Sequence, residues 1–170
     1  MKVFLIGLFL AFSTSPSFGQ ELLFELELIK FNGLSYQSTK DEIVKIFGIP
    51  KIIDPQYECG AYSESQPGAP YEQLIYKGFI FIGNEKEKYI LQEITFDSKG
   101  EIFLEIDGHK LSNATSKDRF IELFGEKAKT YFDDNLYAEE IKLYPKDQDS
   151  GYIFSFEEGR LLKIHYWSPC

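Results

Sequence analysis

One stretch of this chain occurs twice. Residues 34–48 and 111–125 align without a gap at a spacing of 77 positions, and Leu, Ser, Lys, Asp, Phe and Gly recur at six matched places. Self-similarity at a fixed spacing is typical of a duplicated structural unit. We therefore expect a single domain, residues 20–170, made of two repeats at about residues 22–100 and 101–170.

Each copy carries the signals of a short helix. In the first copy Thr39 and Glu42 have the spacing of a capping box, and apolar residues follow at the spacing of one helix face. Gly48 and Gly125 stand where each helix is expected to end, because glycine adopts left-handed conformations without strain. Pro50 prevents continuation in the first copy. Helices of this length are marginal alone and must pack on other elements.

Alternating apolar and polar residues predict strands around both helices. One strand is expected within residues 21–31 and its counterpart within residues 101–107, and residues 126–135 are expected to be a connection. The later strands are predicted at residues 74–76, 79–82, 89–96, 138–144, 152–156 and 160–167. Short turns join neighbouring strands in antiparallel pairs, so the predicted class is α+β, with helices on one face of an antiparallel sheet of about eight strands.

The first 19 residues have the layout of a secretory signal peptide. A basic start precedes an apolar run over residues 3–12, and Ser17 and Gly19 occupy the −3 and −1 places before cleavage. The apolar run is shorter than the roughly 20 residues of a membrane-spanning helix. We expect an exported mature chain, periplasmic or extracellular, with no membrane span after cleavage. An uncleaved N-terminal anchor is the alternative.

The charge balance narrows the choice of partners. The whole chain carries a net charge of −9, and loss of the leader, which holds Lys2 and no acid, makes the mature chain more negative. Nucleic acids and anionic lipid surfaces both require a positive patch, so neither is expected as a partner. A basic protein partner fits an acidic surface, and so does simple solubility. The sequence does not indicate the oligomeric state.

Residues 49–73 predict a long loop that is rich in Pro, Gly and Ser. It carries Tyr57, Tyr62 and Tyr71, and tyrosine among Ser and Gly is typical of adaptable recognition surfaces. Loops longer than about 15 residues are uncommon unless they are functional or disordered. These three tyrosines are therefore the predicted partner-binding residues. The alternative is a connection whose tyrosines lie against the sheet.

Cys59 and Cys170 are the two cysteines of the chain. An even pair in an exported protein predicts a disulfide, here between the long loop and the end of the last strand. Free thiols and metal ligation remain the alternatives. No family signature surrounds a Cys and His pair, no zinc-ligand spacing is present, and no phosphate-binding glycine loop occurs. We therefore expect no catalytic residue, no metal and no cofactor, with an uncharacterised hydrolase as the alternative.

Residues 39–50 resemble the helix-to-Gly-x-Pro signature that opens each repeat of the tandem-repeat β-lactamase inhibitor proteins. They are also similar to the single-repeat small outer-membrane-assembly lipoproteins. The second copy keeps Phe124 and Gly125 but has Lys127 in place of the proline. The resemblance implies a secreted, non-enzymatic protein with two helix-plus-sheet repeats whose open sheet face grips a partner. No contact residue of either family has a match in this chain.

Two departures separate this chain from those families. The inhibitors carry a disulfide within each repeat, whereas here a single pair would join the halves, and the anchoring cysteine of the lipoproteins is missing. The expected function is an exported bacterial protein-binding module of inhibitor or immunity type, which uses the open sheet face and the loop of residues 49–73. The alternative is a scaffold or assembly accessory protein of the cell envelope.

Overall fold

The computed structural model describes residues 24–145 and 148–170, and the expected leader lies outside these residues. A 3₁₀ turn at Leu26–Leu28 precedes the first strand. The first half contains β1 (Ile29–Phe31), β2 (Leu34–Ser35), β3 (Gln37–Ser38), α1 (Lys40–Phe47), β4 (Lys51–Ile53), β5 (Glu72–Tyr76), β6 (Phe79–Asn84) and β7 (Lys88–Thr95). The second half contains β8 (Leu104–Ile106), β9 (His109–Leu111), α2 (Lys117–Asp134), β10 (Glu140–Leu143), β11 (Gly151–Glu157) and β12 (Arg160–Trp167).

Eight strands form one large antiparallel sheet. Their order is β10-β11-β12-β7-β6-β5-β4, and β3 pairs with β7 beside this path. Both helices lie on one face of the sheet, which we call the inner face. The α+β class predicted from the sequence is therefore confirmed.

A second, four-stranded sheet was not predicted. Its order is β2-β1-β8-β9, and it packs on the inner face, where the ring of Phe31 lies 4.9 Å from Phe79 and 5.8 Å from Phe81. Of the strand expected within residues 21–31, the described residues 24–31 keep only β1. The prediction of a longer strand was wrong over Leu26–Leu28, because these residues form a 3₁₀ turn that closes with a bond from the backbone N–H of Ile29 to the Leu26 carbonyl.

The two long hairpins of the large sheet share an irregularity. The register of β6 and β7 shifts between Ile80 and Phe81, which leaves Gln92 as the extra residue. The register of β11 and β12 shifts between Ser155 and Phe156 in the same way. A β-bulge is a specific local feature, so its recurrence at matching places relates the two hairpins position by position.

The two helices begin alike and end differently. Thr39 and Glu42 form the predicted capping box of α1, which ends at Gly48. The helix α2 continues past Gly125, where φ is 65° and ψ is −151°, and a second segment reaches Asp134. The prediction of a connection at residues 126–135 was therefore wrong. Lys127 replaces the proline that ends the first copy, so its backbone can continue in a helix.

Aromatic side chains fill the space between the helices and the inner face. Phe120 of α2 lies 4.2 Å from Phe124, 5.1 Å from Phe154 and 5.2 Å from Phe156, measured between ring centroids. Such offset and edge-to-face pairs add to the free energy gained from burial alone. The inner face is thus committed to the core, and only the opposite face of the large sheet is available to a partner.

Candidate functional site

The opposite face, which we call the outer face, is covered in its first half by the long loop. Ile82 and Ile90 point outward from β6 and β7, and both are buried, as is the outward-facing Gln73 of β5. Neither of the two α-helices of the described residues lies on this side. The cover is the loop between β4 and β5, residues 54–71, which we call the strap. The loop predicted at residues 49–73 was too long, because β4 and the first two residues of β5 lie within it.

Hydrogen bonds fix the strap to the sheet beneath it. The Tyr57 hydroxyl accepts bonds from the side-chain amides of Gln73, at 3.0 Å, and Gln92, at 2.7 Å. The Asn84 amide donates to the backbone carbonyl of Gly68 at 2.8 Å. These bonds anchor the strap at both of its ends, so it forms a fixed part of the domain.

The predicted disulfide between Cys59 and Cys170 is confirmed, with their Cα atoms 4.9 Å apart. It ties the strap to the chain end that follows β12. The backbone N–H of Ala61 donates to the Ser168 hydroxyl at 3.0 Å and strengthens the same attachment. Because both cysteines are bridged, neither offers a thiol nucleophile to a neighbouring histidine.

The three strap tyrosines proposed for binding have different environments, and two of them are in contact. Tyr62 packs edge-on against Tyr71 at 5.1 Å and against Tyr166 at 5.8 Å. Tyr71 is only 7% exposed and donates to the Glu87 carboxylate at 3.0 Å. Burial, followed by this hydrogen bond, raises the pKa of Tyr71 to about 12. Tyr57 is 38% exposed, so it offers the most surface of the three, and their role in binding stays a prediction.

Within residues 24–145 and 148–170, the second half of the sheet has no equivalent of the strap. The first outward-facing residue pair beyond the bulge is Ile82 and Ile90 in the first half, and it is Glu157 and Arg160 in the second. Charged side chains are solvated at this position and need no cover, whereas the two isoleucines do. The uncovered part of the outer face therefore belongs mainly to β10, β11 and β12.

We call this uncovered surface the outer patch. Its outward-pointing residues, none of them buried, are Glu93, Thr95, Glu140, Lys142, Tyr144, Ile153, Ser155, Lys163, His165 and Trp167. At one end the Lys142 ammonium lies 3.4 Å from the centroid of the Trp167 ring. The Tyr144 ring meets Trp167 edge-on at 6.0 Å. These three residues form a compact aromatic and cationic cluster.

The middle of the outer patch is polar. Lys163 and Glu93 form an ion pair at 2.9 Å, and the Ser155 hydroxyl donates to the Glu140 carboxylate at 2.8 Å. Burial, followed by the nearby Lys163 ammonium, lowers the pKa of His165, so its imidazole is neutral at pH 7. Within the described residues Lys142 has no carboxylate partner, and its positive charge therefore dominates this end of the patch.

Sequence reasoning missed this cluster. Trp167 follows His165 at the alternation of one strand face, which was a usable signal. Lys142 and Tyr144 reach the same place only because β10 and β11 pair, with Lys142 opposite Ile153. That register is not visible in any local pattern.

The described residues hold no group of three His, Cys, Asp or Glu side chains suited to a metal ion. Across residues 24–145 and 148–170, no helix is both long and apolar enough to cross a membrane. The arrangement of the outer patch suits recognition through stacking, apolar contact and charge.

Comparison with family models, with curated proteins and with solved structures finds no match to this chain. No relative therefore indicates the role of this α+β domain, and its candidate site is identified from its own geometry. The resemblance to the tandem-repeat β-lactamase inhibitors stays an expectation from the sequence.

Proposed function

We propose that this protein is an exported, non-enzymatic protein-binding module that grips its partner through the outer patch. The observation that carries the proposal is the unequal cover of the outer face. The strap buries the apolar half of that face, whereas the half with the cluster of Lys142, Tyr144 and Trp167 remains open. An antiparallel sheet commonly has one packed face and one solvated face.

The chemistry of the outer patch supports a protein partner. Binding hot spots are enriched in Trp and Tyr, which give large contact area with few rotatable bonds. Here these rings lie at one end of the patch, and the ion pair of Lys163 and Glu93 and the hydrogen-bonded Ser155 and Glu140 lie in its middle. An aromatic anchor with a polar surround is the usual composition of a specific interface.

Rigidity favours an inhibitor or immunity role over an envelope scaffold. The patch lies on paired strands, and the disulfide fixes the strap beside it. A preorganised surface loses little conformational entropy on binding, which suits a tight one-to-one complex. Residues at the patch margin, above all Tyr57, would extend the contact onto the strap.

Two features support export. The leader-like composition of residues 1–19 is the first. The second is the disulfide, because such bonds persist mainly in oxidising compartments outside the cytosol. We propose a periplasmic or extracellular location on these grounds.

The test is capture of a partner from the native envelope fraction with immobilised mature protein. Truncation of a hot-spot tryptophan typically costs about 2 kcal/mol or more, which is a loss of roughly 30-fold in affinity. We expect this loss for Trp167→Ala and a smaller one for Lys142→Ala. Lys127→Ala, on the exposed side of α2, is the matched control and should capture like the wild type. Equal capture by Trp167→Ala and the wild type would contradict the proposal.

The strap tyrosines are tested in the same assay. Tyr57→Ala should weaken capture if the interface reaches the strap, because Tyr57 is the exposed member of the three. Tyr57→Phe keeps the ring and removes only the hydroxyl that accepts from Gln73 and Gln92. Loss of capture in both variants would assign the effect to strap anchoring, whereas loss in the alanine variant alone would assign it to ring contact.

A further inference from the structure

Both connections between a helix and an edge strand expose large apolar side chains. In the first half Ile46, Ile49, Ile52 and Ile53 lie within residues 46–53, and Ile49 is 92% exposed. Ile53 points to the opposite face of β4 from Ile52, so we call Ile46, Ile49 and Ile52 the isoleucine patch. Single exposed apolar residues are ordinary, but clusters of them mark interaction surfaces.

The second half has a corresponding cluster at the end of α2. Tyr131 is exposed there, Leu136 is 76% exposed and Tyr137 is 95% exposed. We call this surface the tyrosine patch. It spans the end of α2 and precedes β10, as the isoleucine patch spans the end of α1 and reaches β4.

The charges beside the two patches are complementary. Lys45 and Lys51 flank the isoleucine patch, and neither forms an ion pair with a described residue, while Asp54 is the acid at its far end. Asp134 and Glu139 flank the tyrosine patch and are equally without a cation in the part of the chain that the structure describes. Opposite charges around apolar centres favour contact and set its orientation.

The two patches cannot meet within one molecule. They lie at β4 and β10, the two ends of the strand order, and six strand spacings of about 4.8 Å separate these edges by about 29 Å. Successive antiparallel pairs make β4 and β10 run in the same direction. A second copy shifted sideways, without reversal, therefore brings its tyrosine patch to the isoleucine patch of the first.

We propose that the occupant of each patch is a second copy of this chain, bound head to tail. The isoleucine patch of one copy packs on the tyrosine patch of the next, with Lys45 and Lys51 opposite Asp134 and Glu139. The strands themselves are protected against direct pairing, since β4 has three residues, begins with a lysine and follows Pro50. Side-chain contact therefore carries the association, and the outer patch of every copy stays free.

The first experiment is sedimentation velocity of the mature protein over about 5 to 500 µM, a range that covers weak association. We expect the weight-average sedimentation coefficient to rise with concentration and to fall back when salt screens the charges. Ile49→Asp and Tyr137→Asp should each weaken the association at least tenfold. Lys99→Ala, in the exposed turn after β7, is the control and should behave like the wild type. A wild type that stays monomeric throughout the range would overturn the proposal.

Mixing the two variants tests the head-to-tail geometry. Ile49→Asp retains an intact tyrosine patch, and Tyr137→Asp retains an intact isoleucine patch. Each variant alone should be monomeric, and an equimolar mixture should form a dimer and nothing larger, because only one compatible pair of surfaces remains. A mixture that stays monomeric, or a variant that associates like the wild type, would overturn the proposal. Neither outcome depends on the outer patch, so the result is independent of the proposed function.

Discussion

Ile94 of β7 pairs with Ile164 of β12 at the centre of the large sheet, and the two residues hold corresponding positions in the two halves. On either side Glu93 lies opposite His165 and Thr95 lies opposite Lys163, so the register is unchanged when the halves are exchanged. In the small sheet, the β1–β8 pairing also joins the halves directly. These pairings relate the two halves by an approximate twofold axis. That the halves are repeats of one unit stays a prediction.

Removal of the disulfide should destabilise the domain. Cys59 and Cys170 are separated by 111 positions, and cross-links that close such long loops typically contribute about 2–5 kcal/mol. The double variant Cys59→Ser with Cys170→Ser should show a lower urea midpoint with an unchanged native circular dichroism spectrum. Reduced wild-type protein is the matched control and should unfold at the same midpoint as the variant. An unchanged midpoint in both would contradict this prediction.

The two matched glycines, Gly48 after α1 and Gly125 within α2, should resist substitution. Gly48 has φ 81° and ψ −166°, and Gly125 has φ 65° and ψ −151°, a region that other residues enter at a cost of about 1–3 kcal/mol. A Cβ at Gly48 would meet no atom within 4 Å, so its penalty comes from the backbone alone. We expect Gly48→Ala and Gly125→Ala to lower the free energy of unfolding by similar amounts, as measured by urea titration. An unchanged free energy of unfolding for either variant would contradict this prediction and would show that the backbone at that site adopts another conformation.

Phe132 should be essential to the second segment of α2. Its buried ring lies 5.8 Å from Phe156, and the Lys117 ammonium lies 4.8 Å from the same ring. Replacing a buried phenylalanine by alanine typically costs about 3–5 kcal/mol. Tyr131→Ala, at the exposed neighbouring position, should cost far less. Similar unfolding free energies for the two variants would mean that this segment contributes little to the core.

Stability should fall in acid partly through Glu72. Burial alone raises the pKa of Glu72, but hydrogen bonds from the Lys40 ammonium, at 2.6 Å, and from the Tyr89 hydroxyl outweigh it and lower the pKa below 4.5. A lowered pKa gives stability that is present above the ordinary pKa and is lost as pH falls through the folded-state pKa.

We therefore expect Glu72→Gln to be less stable than the wild type at pH 7 and to approach it at pH 3. Urea titrations at pH 7, 5 and 3 measure the difference. Glu122→Gln removes an exposed ion pair with Arg119, which contributes little, and it should follow the wild type at each pH. A gap between Glu72→Gln and the wild type that is constant with pH would contradict the assignment.

Much of the fold could be predicted from the sequence because the relevant signals are local. The capping residues Thr39 and Glu42 defined the start of α1, and the apolar alternation of β12 gave its bounds, Arg160–Trp167, without error. The small sheet was not predicted, because its strands have only two or three residues and show too little alternation. Asn-Gly and Asp-Gly turns at positions 32–33 and 107–108 were nevertheless available as hairpin signals.

The candidate site was less accessible from the sequence. Composition drew attention to the strap tyrosines, but Tyr62 and Tyr71 pack on Tyr166 and Glu87, contacts that depend on the folded position of the loop. Lys142 and Trp167 come from different strands and meet only through the pairing of the β10–β11–β12 segment. Pairing between strands that are distant in the sequence therefore determines which residues form most of the outer patch.

Site-specific photo-crosslinking tests the central claim most directly, namely that the outer patch is the surface that holds the partner. A photoreactive residue at Ile153, in the middle of the patch, is compared with one at the exposed Lys99 in the turn after β7. The account predicts that the captured partner is cross-linked from position 153 and not from position 99. Cross-linking from position 99 alone, with undiminished capture by both proteins, would contradict it.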